Sequence, residues 1–380
     1  MVFVDGRNYV EVVLTGGPCS GKSTSLAYLS EELGNRDIRM LSVPEMATTL
    51  IMGGLSDLGQ IIAEDPHRAL LIETQMILMQ GAIRQHYRKL AEALAPQKVV
   101  IVYDRAEMDC RAYLREEQFR AIMDEHRLTL HDLRDSYDAV IHLVTAALGA
   151  EEHYTTANNE ARFETVEQAR DADRRTLHAW AGHPHLWIVD NERDFQEKLA
   201  QVLAAVLHTV GVPHSEEIER KFLIDGPLDM THPALAHATR IDIEQTYLRT
   251  DDRDVELRVR RRAQGDQVTY FLTEKTNTAG VKRHEREQLI APSEYLRLLH
   301  DADPDRQPIR KTRLCFAHSA HRCELDVIDQ GARLEPLYLL EIELLSADQT
   351  VNLPDFLTVV REVTDEPEFR MSAVAARLSA

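Results

Sequence analysis

Residues 12–30 read VVLTGGPCSGKSTSLAYLS, and this run decides the fold of the chain's first half. Val12, Val13 and Leu14 make a short β-branched and apolar strand, glycines follow, and Leu26, Leu29 and Leu33 then recur at helical spacing. Strand, loop and helix are the setting in which a GxxxxGK[ST] pattern cradles phosphate, and Gly16, Gly21, Lys22 and Ser23 satisfy it. The glycines let backbone N–H groups wrap an anion, the lysine reaches the β/γ oxygens, and the serine hydroxyl ligates Mg²⁺. Thr24 is counted with them as a nucleotide contact, and Cys19 occupies a position where only the backbone acts.

Working outward, QKVVIVYDRAEMD (97–109) is a buried parallel strand that delivers Asp104 and Arg105 to its carboxyl end. An acid there can hold Mg²⁺ through water; the structural alternative is a helix cap. IRMLSVPEMATTL (38–50) brings Glu45 to the same rim, as a general base toward an acceptor hydroxyl or as a cap of the next helix. YDAVIHLV (137–144) and HLWIVDN (185–191) add strands, the second ending in Asn191, a candidate nucleotide contact. Strands alternating with helical segments imply a parallel sheet covered on both faces. The polar segment of about 146–178 reads as a lid, with Arg162 and Arg174 as candidates to reach phosphates on closure or as solvated helix charges.

LTGGPCSGKST, VPEMATTL, YDRAEMD, LRDSYDAVIHLVTAALGAEEHYT and WAGHPHLWIVDN together resemble the P-loop domain of the animal proteins named for defective translocation of a TRP-like photoreceptor channel. The resemblance runs over most of residues 8–210. It implies guanine-nucleotide binding and association with phosphatidic acid and phosphoinositides. No plain NKxD-type guanine reader is present, so GTP over ATP rests on the resemblance alone.

GVPHSEE (211–217) reads as the linker, with a P-loop domain over 1–210 and a second domain over 217–380. Beyond it, charge occupies alternate positions of successive strands. Glu217, Glu219 and Lys221 share one face of EIERKFLI; Glu256, Arg258 and Arg260 do so in VELRVRRR, and Lys275 in LTEK. The pattern continues with Arg283, Glu285 and Glu287, with Lys311 and Arg313 in IRKTRLCF, with Glu324 and Asp326 in CELDVID, and with Glu341 and Glu343 in LLEIEL. A solvated face explains any one strand; a sheet closed into a barrel, with apolar residues outward under helices and charges inward, explains the set.

The ExExK run and the order of the later strands resemble the CYTH, or triphosphate tunnel metalloenzyme, superfamily over about residues 215–375. The resemblance implies an α+β antiparallel β-barrel in which Arg258, Arg260, Lys275, Lys311 and Arg313 bind phosphate oxygens. By the same resemblance Glu217, Glu219, Glu341 and Glu343, with Asp326 nearby, hold Mg²⁺ or Mn²⁺, and Glu217, Glu219 and Lys221 serve catalysis. The substrate would be a nucleoside triphosphate or inorganic tripolyphosphate.

The whole chain has 380 residues, 44% hydrophobic and 28% charged, as expected of two folded domains. Its 44 Lys and Arg against 63 Asp and Glu leave a net charge of −19, which argues against a sequence-independent grip on nucleic acid. Cys19, Cys110, Cys315 and Cys323 form no CxxC pair, so a reducing cytoplasm is expected. Neither a signal peptide nor an apolar run of about 18 residues is read, so export by that route and membrane spanning are not expected. Three functions follow: a Mg²⁺-dependent GTP- or ATP-binding protein whose tunnel hydrolyses a triphosphate, a nucleoside or nucleotide kinase, and a GTP- and phospholipid-responsive adaptor without catalysis.

Overall fold

The computed structural model describes residues 7–154, 165–211, 218–252, 254–278, 282–331, 335–345 and 349–379. The chain divides into two compact units, Met1–Ser215 and Glu216–Ala380. No helix among the described residues is long and apolar enough to cross a membrane.

In the first unit β1 (Tyr9–Gly16), α1 (Lys22–Gly34), β2 (Arg39–Val43), α2 (Met46–Met52), α3 (Leu58–Glu64), α4 (Pro66–Ala93) and β3 (Val99–Asp104) follow one another. Then come α5 (Glu116–His126), β4 (Ala139–Leu143), α6 (Val166–Trp180), β5 (Leu186–Val189) and α7 (Phe195–Val210). The strands are parallel in the order β2-β3-β1-β4-β5. Their near-continuous Val, Ile and Leu content is that of strands buried on both faces. Val13, Ile101, Tyr103 and Val140 pack with residues of α4, α5 and α6, while the alternate Val12, Val102 and Ile141 are buried on the opposite side. There α1 and α7 touch each other and the sheet. Because β1 lies between β3 and β4, its carboxyl end opens at the point where chain connections diverge to either side, the usual place for a ligand in such sheets.

The second unit contains β6 (Ile218–Ile224), β7 (Thr239–Leu248), β8 (Val255–Gln264), β9 (Gln267–Thr278), β10 (Lys282–Leu289), α8 (Pro292–Leu298), β11 (Ile309–His318), β12 (His321–Ile328), β13 (Leu337–Leu344), β14 (Val359–Glu362) and α9 (Met371–Arg377). Its nine strands are antiparallel in the order β10-β9-β8-β7-β11-β12-β13-β6-β14. This is the tunnel fold of alternating strands; among the described residues no ladder joins β10 to β14. Cross-strand partners share a face, so the register can be followed from strand to strand. Glu256 opposes Lys275, Arg313 opposes Asp326, Cys315 opposes Glu324, Glu324 opposes Glu341, Glu341 opposes Lys221, and Glu343 opposes Glu219. One continuous face therefore carries the charges.

The opposite face is apolar where it packs Val259 with Tyr295 of α8 and Phe222 with Leu325 and Leu340, while across β7 and β11 it carries the solvent-facing ion pairs Arg240–Asp242 and Arg310–Glu244. In one respect the packing differs from the sequence expectation. Helix α9 lies against the charge-bearing face, where its Val374 and Ala375 meet Ile309, Ile328 and Leu339. These three alternate in phase with Lys311 and Asp326, so one end of that face is apolar and needs a cover.

Candidate functional site

The first site is built at the end of β1. Gly16 has φ 141°, and an added Cβ would stand 2.1 Å from the Leu143 carbonyl oxygen, so no side chain fits there. Lys22 opens α1 and turns back until its Nζ is 3.5 Å from both the Gly16 carbonyl oxygen and Ser20 Oγ. Burial, then the Arg105 guanidinium, lowers the pKa of its ammonium against the pull of Asp104, Glu45 and Asp109. Ser23 and Thr24 are exposed on the first turn of the helix.

Asp104 is the register partner of Leu14 on β1, which sets it beside this loop. It is not the cap of the following 3-10 helix, whose N-cap is Ala106. Its Oδ1 is buried with no hydrogen-bond partner, and burial raises its pKa despite Lys22. An orphaned carboxylate oxygen beside a phosphate loop fits a hard divalent cation. Among the described residues no three His, Cys, Asp or Glu side chains gather as a ready-made cage. Mg²⁺ needs none, since it binds one or two carboxylates and completes its shell with water and substrate phosphate.

Glu45 precedes α2 but does not cap it with its side chain. It accepts from Arg105 Nε at 2.8 Å and from Thr48 Oγ1 at 2.7 Å. Burial disfavours its charge, yet Arg105 and Lys22 outweigh that and hold its pKa low. Arg105 itself sits in the left-handed region at φ 64°, a strained place for a side-chain-bearing residue. Its other arm reaches Asp109 at 3.2 Å. Asp109 is fixed by the Ala106 N–H at 2.9 Å, Trp180 Nε1 at 3.3 Å and the Thr15 hydroxyl.

The expected lid is described at 146–154, which holds only a short 3-10 turn at Glu151–His153, and at 165–178, which belongs mostly to α6, whose Ala169, Ala172, Asp173, Thr176, Ala179 and Trp180 are buried. Arg174 is exposed and pairs with Asp171; Arg162 lies outside the described residues. Asn191 is spent on structure. Its amide donates to the Thr145 and Leu148 carbonyls at 2.8 and 2.7 Å, and its oxygen accepts from Lys198 Nζ at 2.7 Å.

The second site is the charged face of the nine-stranded sheet. Arg313 is held by Asp326 at 2.7 Å, by Glu341 at 2.7 Å and by Glu324. Lys311 pairs with the same Asp326, and Lys221 with Glu341 at 2.9 Å and Glu219 at 3.5 Å. Burial opposes charge on Glu341, but Lys221, Lys311 and Arg313 outweigh it and hold its pKa well below the usual range. Lys311 shows the reverse balance: burial, then Arg313, brings its ammonium down to about 8. Farther round the sheet Arg260 pairs with Glu287 at 3.0 Å, Arg258 is buried beside Tyr247, and Lys275 lies on the same face. Glu219, Glu341 and Glu343 on the paired β6 and β13 offer the carboxylate oxygens a hard cation prefers. Glu217 and the side chains of Arg283 and Glu285 lie outside the described residues.

Residues 11–198 match the AAA domain family, and residues 215–357 match the CYTH domain family. The chain is an AAA domain fused to a CYTH domain. No curated protein matches it, so the likeness to the animal channel-translocation family rests on the motifs quoted above. Among solved structures, the inorganic triphosphatase NE1496 is 29% identical and covers 42% of this chain and 94% of its own, with a TM-score of 0.31. PH1819 from Pyrococcus horikoshii OT3 is 22% identical, covering 37% of this chain and 80% of its own, at 0.27. HpAC1 from Hippeastrum, a putative adenylyl cyclase with a dominant triphosphatase activity, is 17% identical, covering 34% and 79%, at 0.27.

Several residues of both domains escape a reading of the sequence. In the AAA domain Asp109 and Asp173 hold the site together. The stripe Ala169, Ala172, Asp173, Thr176, Ala179, Trp180 at helical spacing was the available signal for a buried face of α6. In the CYTH domain Arg262 and Arg322 join the charged face. Arg262 continues the alternation of Arg258 and Arg260, and Arg322 that of Glu324 and Asp326, so simple extension of the pattern finds both.

Proposed function

We propose that the AAA domain binds a nucleoside triphosphate, GTP or ATP, and that the CYTH domain hydrolyses a linear triphosphate with a divalent cation. Residence in the cytoplasm is part of this proposal. The observation that carries it is the buried Lys311 and half-buried Arg313 set against Asp326 and Glu341 on one charged face. Cations and anions buried together at this density are costly unless each is paired, and a triphosphate with its metal matches both signs. Lys311, Arg313, Arg258 and Arg260 would bind phosphoryl oxygens, and Glu219, Glu341 and Glu343 would hold Mg²⁺ or Mn²⁺, with Glu217 as a further candidate ligand. Such a cation neutralises phosphate charge and lowers the pKa of bound water. In the reaction a water oxygen bonds to the terminal phosphorus and yields a proton to a carboxylate of this face, the bridging P–O bond breaks, and the electron pair leaves with the shortened phosphate. Lys311, with a pKa brought down to about 8, would give that leaving oxygen a proton.

The test is phosphate release from tripolyphosphate, GTP and ATP with Mg²⁺ or Mn²⁺. Loss in Glu343→Gln with retention in Lys22→Ala is the expected result. The opposite pattern would move the chemistry to the AAA domain.

A second reading is favoured by the 2.8 Å Arg105–Glu45 pair within electrostatic reach of Lys22. A carboxylate held ionised beside a phosphate loop can accept the proton of an attacking hydroxyl, which makes the AAA domain a kinase of a small hydroxyl-bearing acceptor. Transfer that survives Glu45→Gln unchanged would remove that role. No specific contact among the described residues favours the phospholipid-responsive adaptor.

A further inference from the structure

Phe195 begins α7 and is 44% exposed, while Leu199, Val202 and Leu203 farther along the helix are buried. Its ring leans on the phosphate loop: a Cβ added at Gly21 would stand 2.9 Å from Phe195 Cε2 and 3.3 Å from Cζ. Gly21 has φ 93° and immediately precedes Lys22, so the aromatic edge touches the last glycine of the cradle. The positive φ favours glycine there, and its lack of a Cβ lets the ring approach this closely.

The loops after β4 and before α7 are tied together and to the first turns of α7. Lys198 Nζ donates to the Val144 carbonyl at 2.8 Å and to Asn191 Oδ1 at 2.7 Å, and Asn191 in turn ties down the Leu148 carbonyl at 2.7 Å. Leu148 is itself 40% exposed. A clamped loop pair thus presents apolar surface beside a site built for phosphate. Loops already ordered beside the ring lower the cost of stacking a ligand there.

We propose that Phe195 is the stacking platform for the nucleobase of a nucleoside triphosphate whose phosphates occupy the Gly16–Ser23 loop; this rests on the nucleotide-binding reading of that loop. A flat π surface next to the cradle suits a purine, and stacking on it is tolerant of base identity. The side chain of Asn191 is committed to the loop carbonyls and Lys198, so it does not read the base edge. Adenine and guanine nucleotides are therefore expected to gain alike from Phe195.

The experiment is calorimetric titration of the full chain with GTP, ATP and inorganic tripolyphosphate. The component abolished by Lys22→Ala defines the phosphate-loop site. At that site Phe195→Ala should weaken GTP and ATP about tenfold, the scale of one lost base stack, and leave tripolyphosphate unchanged. Phe195→Trp should restore nucleotide affinity. Equal loss for nucleotides and tripolyphosphate would make Phe195 a support of the loop and overturn the proposal, as would no loss for either. If Lys22→Ala changes no binding at all, the nucleotide reading of the loop falls first and the platform with it.

Discussion

Asp173 of α6 accepts the backbone N–H of Gly17 at 2.7 Å across 156 residues of sequence, tying a helix to the phosphate loop. The same Oδ1 takes the Thr145 N–H at 3.0 Å, and Oδ2 lies 3.3 Å from His142 Nε2. A Cβ on Gly17 would come within 2.7 Å of Asp173 Cβ, so loop and helix are in backbone-close contact. The cradle is thus tied to α6 through one carboxylate, beside the bonds from Thr145 Oγ1 to the Pro18 carbonyl and from the Ala146 N–H to the Cys19 carbonyl.

Asp173→Ala strands two buried N–H groups, each costing about 1–3 kcal/mol when unsatisfied. Thermal unfolding should show a drop of several degrees and a smaller stabilisation by added GTP than in the parent protein. Asp173→Asn keeps one acceptor oxygen and should fall between. An unchanged unfolding temperature in Asp173→Ala would show that the loop stands without this support.

Glu73, on α4, is 1% exposed and its Oε2 has no hydrogen-bond partner. Burial raises its pKa from 4.5 to about 7. Between those values the native protein keeps a proton that the unfolded chain has lost, so this group makes stability fall as pH rises through the window. The swing is on the order of 3 kcal/mol. Glu73→Gln cannot titrate and should flatten the dependence, compared by urea midpoints at about pH 5 and about pH 7.5. The same slope in both proteins would assign it to other groups.

Much of both sites was legible because the chemistry there imposes local rules. The Gly16–Ser23 loop needs glycines, a lysine and a hydroxyl in fixed order, and the nine-stranded sheet needs a period of two; a sequence displays both directly. Asp173 and Asp109 were not legible in the same way. Each acts by meeting a loop far away in the chain, and an aspartate inside RDADRR or AEMDC gives no local sign that it is buried. The inward packing of α9 escaped for a related reason. Ile309, Ile328 and Leu339 share the parity of the charged residues, and period alone cannot tell where along a face polarity gives way to an apolar end.

Lys311 links activity and stability with opposite signs. Its pKa falls from 10.5 to about 8, so between these values the unfolded chain binds a proton that the native protein does not. Stability from this group therefore rises with pH across that window, and Lys198, also brought down to about 8 by burial, adds the same sign. Turnover that uses the Lys311 proton should instead decline above about pH 8. Lys311→Arg, which cannot lose its charge there, should carry no alkaline limb near that pH in whatever activity it retains. A limb unmoved in Lys311→Arg would assign the proton to another group.

Arg313 is a single cation shared by Asp326, Glu341 and Glu324. Arg313→Ala would leave the buried Asp326 and the half-buried Glu341 and Glu324 turned toward the space the guanidinium had filled, a loss of up to about 3–5 kcal/mol on the scale of broken buried pairs. Lys311 and Lys221 still face Asp326 and Glu341, so the loss should unfold the CYTH domain at lower temperature without abolishing its fold. Three carboxylates stripped of their organic cation are also a hard-cation site. Added Mg²⁺ or Mn²⁺ should consequently raise the unfolding temperature of Arg313→Ala by more than that of the parent, because a ligand stabilises in proportion to its preference for the native state. Glu343→Gln leaves the Arg313 cluster in place and should lose metal-dependent turnover. If Arg313→Ala is destabilised but gains nothing from either metal, its carboxylates relax by taking up protons, and the cation site must be sought at Glu219 and Glu343.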